Sequence, residues 1–283
     1  MDIIEIIKAI LIGVIQGITE WLPVSSTGHM ILFDEFVKLD VSADFLDFFL
    51  VCIQLGSILA VLVLFFEKLN PFSKGKSAGE KAASYSLWLH IIVGCVPAAI
   101  VGLLLEDLID ELFYRSGYAY VVVAIALFVY GVAFILIERN KGKKKTPDRI
   151  ENVGNISYRD AFLIGCFQIL ALIPGTSRSG STVLGACLLG VARPAAAEFS
   201  FFMAMPVMAG ASLLKGLKFI AAGATMSTTE IGVLIIGTVT AFAVSLVAIR
   251  FLMDFVRRHS FAVFGWYRIA LATAVLSYFM ITG

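Results

Sequence analysis

Gln16–Met30 reads QGITEWLPVSSTGHM, and Gln168–Thr182 reads QILALIPGTSRSGST. Each stretch starts in an apolar segment, breaks at a proline and turns through a run of hydroxyls and glycines. A second apolar segment follows each turn. The surrounding chain decides what such a turn means. Of its 283 residues, 59% are hydrophobic and 15% charged, and the mean hydropathy is +0.93. Soluble domains sit near about 45–50% apolar and about 25% charged. The composition excludes a disordered or collagen-like chain and a nucleic-acid binder with a basic face. It places the chain among multi-spanning membrane proteins.

Gaps between charged residues locate the spans. Asp47 to Glu67 encloses 19 uncharged residues, Lys81 to Glu106 encloses 24 and Arg115 to Glu138 encloses 22. Residues 199–214 form a gap of 16, Glu230 to Arg250 encloses 19, and 269–283 close the chain with 15. These predict six spanning helices, since only helices satisfy their own backbone within lipid. The segments on either side of each polar turn are too short for two crossings. They predict two re-entrant helix–turn–helix hairpins, at 3–40 and 158–192. The expected fold is all-α, a single integral membrane domain over 1–283.

Hairpin followed by three spans then occurs twice, over 1–140 and 155–283. An odd number of crossings inverts the second copy, so an inverted repeat is expected, with a site where the broken helices meet. An offset of 152 aligns Gln16 with Gln168, Ser25 with Ser177, Thr27 with Ser179 and Gly28 with Gly180. Orientation follows from lysine and arginine. Loops 67–83, 138–160 and 250–260 carry 14 of the 22, including Lys141, Lys143, Lys144 and Lys145. The opposite side holds Lys8, Lys38, Arg115, Lys215 and Lys218, with an acidic loop of Glu106, Asp107, Asp110 and Glu111. The basic side is expected in the cytoplasm and both termini outside. Asp2 and Glu5 precede Lys8, unlike a cleavable signal. Cys52, Cys95, Cys166 and Cys187 lie in apolar stretches and read as small buried hydrophobes.

Charges deep in such a chain are costly. The exceptions gather on the hairpins: Glu20 and Arg178, with Arg193 and Glu198 just beyond, and the titratable His29. Around them stand Ser25, Ser26, Thr27 and Gly28 in one turn. Thr176, Ser177, Ser179 and Gly180 stand in the other, with Gly175 and Ser181. Each turn precedes a short helix, whose first amides and partial positive charge suit an anion. Arginine grips phosphate oxygens through paired hydrogen bonds. Together these groups predict a phosphate site. Ser26 and His29 are three apart and could face one cavity as nucleophile and base. Gln16 and Glu20 are four apart on one helix face, and Glu20 could orient the imidazole or hold a divalent cation. A buried Glu20–Arg178 pair that only fixes the fold is the plainer alternative.

At these residues the chain resembles the undecaprenyl-diphosphate phosphatase family of the bacitracin-resistance type. The resemblance rests on Gln16-x-x-x-Glu20, PVSSTGH (Pro23–His29), PGTSRSGST (Pro174–Thr182) and IQLGSILAV (Ile53–Val61). Length and hydropathy fit over the whole chain. It implies a bacterial inner-membrane hydrolase that opens to the outer face. Its substrate would be C55 isoprenyl diphosphate and its products undecaprenyl phosphate and inorganic phosphate, recycling the lipid carrier for wall synthesis. The family's first motif allows Glu or Gln where this chain has Gln16. A neutral amide weakens a site for Mg²⁺ or Ca²⁺ on Gln16 and Glu20. The SR-x5-H pattern of phosphatidic-acid-type phosphatases fails, because its histidine position is Leu184.

The expected mechanism joins both lines. Arg178 and the turn amides bind the diphosphate of a lipid in the bilayer. Ser26 attacks with His29 as base, or His29 itself is phosphorylated. Glu20 holds the cation or orients His29. Gln16, Ser25, Thr27, Gly28, Thr176, Ser177, Ser179 and Gly180 complete the binding cage. A flippase or transporter built on the same midplane site is the alternative, since inverted repeats and broken helices serve carriers too. An intramembrane serine protease lacks a Ser-His or Ser-Lys pair around Ser177. No nucleic-acid partner is expected. A homodimer is open, because small residues such as Gly131 and Gly237 can pack helices within one chain or between two.

Overall fold

A computed structural model describes residues 2–114, 118–143 and 148–282. Arg115, Lys144 and Lys145, which entered the orientation count, lie outside the described residues. Among the described residues the chain is helical, with one isolated bridge between Ile150 and Val191. It opens with α1 (Ile3–Thr19), a turn and α2 (Ser26–Phe36). Then come α3 (Ala43–Leu64), the short α4 (Phe66–Leu69), α5 (Ala78–Ile109) and α6 (Ala119–Lys143). The second half repeats the order with α7 (Tyr158–Ile169), a turn, α8 (Arg178–Leu188), α9 (Arg193–Ala221), α10 (Thr228–Arg258) and α11 (Ala262–Thr282). Among the described residues six helices, α3, α5, α6, α9, α10 and α11, are long and apolar enough to cross a membrane. The chain is a multi-pass membrane protein.

Several helices outrun the charge gaps that located them. The gap at 199–214 becomes the 29-residue α9, which takes in Arg193, Glu198, Lys215 and Lys218. The gap ending at Arg250 extends to Arg258 in α10, and α11 begins seven residues before the gap at 269. A charge ends a span only if it meets water. Here partners hold it instead. Arg193 is paired with Glu138, and Lys68 lies 2.6 Å from Glu198. The expected acidic loop is also mostly helix, because α5 runs to Ile109 and a π-helical turn covers Asp110–Tyr114.

Local chemistry sets the ends. Ser42 caps α3 by accepting from the Phe45 amide. Ser157 with Asp160 and Ser227 with Glu230 form reciprocal capping boxes at α7 and α10. The open end of each hairpin is closed by ions. Lys8 donates to the Lys38 carbonyl at 2.6 Å and pairs with Glu5, which accepts from the Asp40 amide. At the other hairpin Arg149 bridges Asp160 and the Leu189 carbonyl.

Each hairpin packs into the other half of the chain. Helix α1 lies on α10, and α7 lies on α5. The approach is close in both places. A Cβ on Gly13 would sit 2.7 Å from the Gly237 carbonyl, and one on Gly165 would sit 2.1 Å from the Gly94 carbonyl. Gly13 and Gly165 are themselves 152 positions apart. Helices α6 and α11 meet where Gly131 and Gly265 each face the other's carbonyl. The glycines considered for pairing two chains, Gly131 and Gly237, are thus used within one.

Gly165→Ala is expected to cost about 1–3 kcal/mol by overpacking α7 against α5. Gly79→Ala, where a Cβ meets nothing within 4 Å, should leave stability unchanged or slightly raised. Melting of the two variants in detergent checks the difference.

Candidate active site

The two turns break their helices in the same way. Ser25 and Ser177 take φ of 75° and 72°, a backbone region that residues with a side chain seldom occupy. Each hydroxyl then accepts from the amide three residues on: Gly28 to Ser25 and Gly180 to Ser177, both at 3.2 Å. The caps start α2 at Ser26 and α8 at Arg178. Strain of this kind persists where the surroundings impose it. Here it aims the first turns of two helices at one region. Gly175, at φ 92°, allows the second turn to press against Val123, whose carbonyl would lie 2.6 Å from a Cβ.

Carbonyls freed by the breaks need donors. Arg268, fully buried on α11, supplies them. Its guanidinium donates to the Pro23 carbonyl at 3.1 Å and to those of Gly175 and Thr176 at 2.8 and 2.9 Å. It also lies over the Tyr130 ring, 5.3 Å from the centroid. Ser179 adds a second link between the turns, donating to the Leu22 carbonyl at 3.3 Å.

Glu20 and Arg178 do meet. Glu20 Oε1 accepts from Arg178 Nη2 at 3.0 Å, and Oε2 accepts from Gln16 Nε2 at 3.0 Å. Arg178 Nη1 donates to the Ser200 carbonyl at 2.7 Å and to its hydroxyl at 3.2 Å. The guanidinium carbon lies 5.7 Å from the Trp21 ring centroid. The ion pair joins the two hairpins and is oriented from three sides.

Beside it is a cavity of ≈ 540 Å³. Glu20, Ser26, Thr27, Gly175, Ser177 and Arg178 line it. Gln54 of α3, Gln168 of α7 and Lys215 and Lys218 of α9 line it as well. The other expected binding groups, and His29, are not part of this lining. Ser25, Gly28 and Gly180 are engaged in the caps. The Thr176 hydroxyl lies 2.8 Å from the carbonyls of both Leu170 and Ile173. Gln16 supports Glu20.

His29 is arranged differently from expectation. Nδ1 lies 2.7 Å from the Ser25 carbonyl, and Nε2 lies 2.7 Å from the Tyr267 hydroxyl. The Tyr267 ring stacks on it at 5.6 Å. A carbonyl only accepts, so Nδ1 carries a proton, and in the neutral ring Nε2 accepts from Tyr267. Among the described residues no hydrogen bond joins His29 to Ser26.

The proposed cation ligands do not fit a resident ion. Glu20 supplies one carboxylate, already facing a guanidinium, and Gln16 points an amide donor at it. Among the described residues no group of three or more His, Cys, Asp or Glu side chains could hold a metal. Arg193 and Glu198 also stand apart from the site, paired as described with Glu138 and Lys68.

Arg268, Trp21, Ser200 and Tyr267 were not singled out from the sequence. Arg268 had a signal, a lone arginine with nine uncharged residues before it and fifteen after it. The others become visible only when chain-distant helices pack.

Comparison with known proteins agrees with the site. Residues 9–274 match the family described as "Bacitracin resistance protein BacA". A protein of Enterococcus faecalis named "Undecaprenyl-diphosphatase" is 51% identical over 273 residues, covering 96% of this chain and 97% of its own. "Undecaprenyl-diphosphatase 1" of Clostridioides difficile is 53% identical over 280 residues, covering 99% and 98%. A namesake in Desulfitobacterium hafniense is 51% identical over 281, covering 99% and 98%. With the match running through both polar turns and nearly every span, the chain belongs to the BacA bacitracin-resistance family.

Proposed function

We propose that the chain is an undecaprenyl-diphosphatase. It hydrolyses the C55 isoprenyl diphosphate to undecaprenyl phosphate and inorganic phosphate, which returns the carrier to cell-wall synthesis. One observation carries this at the level of geometry: two serine-capped helix starts and Arg178 converge on a single cavity. The first two amides of each helix, those of Ser26 and Thr27 and of Arg178 and Ser179, precede the intrahelical bonds. They and the guanidinium suit the charge that spreads over a transferring phosphoryl group. The identity with relatives of that name supports the substrate.

In this mechanism the prenyl chain stays in lipid and the diphosphate enters beside Arg178. Ser26 Oγ attacks the terminal phosphorus, and the bridging P–O bond breaks toward undecaprenyl phosphate. The Ser26 proton passes to His29 Nε2, which gives up its hydrogen bond from Tyr267. Water then attacks the phosphoserine, the Ser26 Oγ–P bond breaks, His29 returns its proton to Ser26 Oγ, and inorganic phosphate leaves with the protons of the water. Glu20 holds Arg178 in place and keeps its charge paired until an anion arrives.

The same proposal covers topology. The halves form an inverted repeat whose hairpins are re-entrant and meet tip to tip. Exchange of hairpins between halves supports it. So do the two ionic closures, one beside Ser42 and Glu230 and the other beside Glu138 and Lys141. With the basic loops in the cytoplasm, both termini lie outside the inner membrane. The cavity, walled by Lys215 and Lys218, opens on that outer face.

Phosphate release by the purified protein in detergent tests the function, because a carrier without a hydrolytic step releases none. Glu20→Ala, Arg178→Ala and His29→Ala are each expected to lower kcat/KM by about 100-fold or more. Tyr267→Phe, which frees Nε2, should stay within a few-fold. Rapid acid quenching should trap phosphate on Ser26 that survives acid, whereas an acid-labile label on His29 would reverse the roles. Arg268→Lys keeps the charge but loses the fork across both turns. It should lower the rate at least about tenfold, the scale of a misplaced catalytic group, and a variant with unchanged rate would show that the bridge is dispensable.

A further inference from the structure

The buried polar atoms without a hydrogen-bond partner, among the described residues, belong to Trp21, Ser57, Gln168, Arg178 and Arg268. Gln168 differs from the others. Both polar atoms of its carboxamide, Nε2 and Oε1, are without partners. The residue is 2% exposed and lines the cavity that Glu20, Ser26 and Arg178 also line. An amide can offer two donors and two acceptors. Leaving all of them unmet out of water is unfavourable unless something else occupies the space beside them.

The repeat shows that this is not the ordinary fate of a glutamine at this position. Gln16, its counterpart at an offset of 152, is satisfied by Glu20 four residues on. The residue four after Gln168 is Leu172, so the second hairpin provides no carboxylate. Its amide atoms find no partner in their own hairpin and are closed to water, so a turn of this cavity-lining side chain brings them to an occupant. The charged groups of the cavity's lining are Glu20, Arg178, Lys215 and Lys218, a positive balance that suits an anion. An anion provides acceptors for Nε2. The carbonyl Oε1 needs a donor, and a water molecule beside a phosphate is one.

We propose that Gln168 is a substrate-binding group: Nε2 donates to a non-bridging oxygen of the diphosphate and Oε1 accepts from a water held against the same phosphate. The role rests on the phosphatase function proposed above. It gives the two glutamines of the repeat different tasks. Gln16 braces the carboxylate that positions Arg178, and Gln168 contacts the ligand.

Gln168→Leu keeps the size and removes every hydrogen bond, and Gln168→Glu keeps the shape and adds a charge facing the anion. Both are compared with the wild type as full-length protein in detergent. Turnover uses undecaprenyl diphosphate, and thermal melting is followed with and without inorganic pyrophosphate. Gln168→Leu is expected to melt no lower than wild type, to lose at least about tenfold in kcat/KM and to lose the rise in melting temperature that pyrophosphate produces. Gln168→Glu should lose more, with most of the loss in KM. Turnover and pyrophosphate stabilisation within twofold of wild type in a folded Gln168→Leu would overturn the assignment. So would loss of activity in proportion to lost stability, with Gln168→Glu no worse than Gln168→Leu. A wild type that binds pyrophosphate but releases no phosphate from the lipid would instead overturn the phosphatase function.

Discussion

Arg268 solves the problem that the rest of the architecture creates. Breaking two helices in an apolar interior leaves carbonyls with nothing to accept from, and lipid supplies no water to replace the lost bonds. One guanidinium, carried on the last helix, reaches the Pro23, Gly175 and Thr176 carbonyls together. The turns can therefore be tight, strained and close to each other. Ser25 and Ser177 hold their unusual φ because the carbonyls around them are tied down. The cavity exists because the tips are pinned side by side rather than filled with apolar side chains.

On that base the Glu20–Arg178 pair acts as a second, weaker joint between hairpins. A buried ion pair seldom stabilises by its charges alone. Here Gln16, Ser200 and Trp21 surround it, and its value is placement: a guanidinium held at the cavity wall with its charge partly compensated. In the mechanism proposed above an arriving phosphate takes over Arg178, and until then the pair leaves no uncompensated charge in the membrane.

Much of this was legible in one dimension. Hydropathy found the six long helices, and the proline-hydroxyl-glycine runs found both turns. Glu20 and Arg178 stood out because an apolar chain should not contain them. The failures share a cause. A charge-gap rule treats every arginine as the end of a span, so Arg268 was set at a boundary and its three carbonyls were missed. The same rule drew Arg193 and Glu198 toward the site, although Glu138 and Lys68, far off in sequence, pair with them. The three-residue spacing of Ser26 and His29 suggested a shared cavity. It could not foresee Tyr267, 238 positions away, holding the imidazole. Spacing along one helix fixes a face, and tertiary neighbours decide what that face meets.

The exchange of hairpins between halves has a consequence for biogenesis. Helix α1 is synthesised before α10, yet its face carrying Gly13 and Gly17 is shaped for that helix, which begins roughly 200 residues later. At about 5–20 residues per second, roughly ten to forty seconds pass before its partner exists. During that interval the first polar turn waits with its Pro23 carbonyl uncapped, because Arg268 is later still. The first half is therefore an incomplete folding unit, and the ribosome must deliver almost the whole chain before the centre can close.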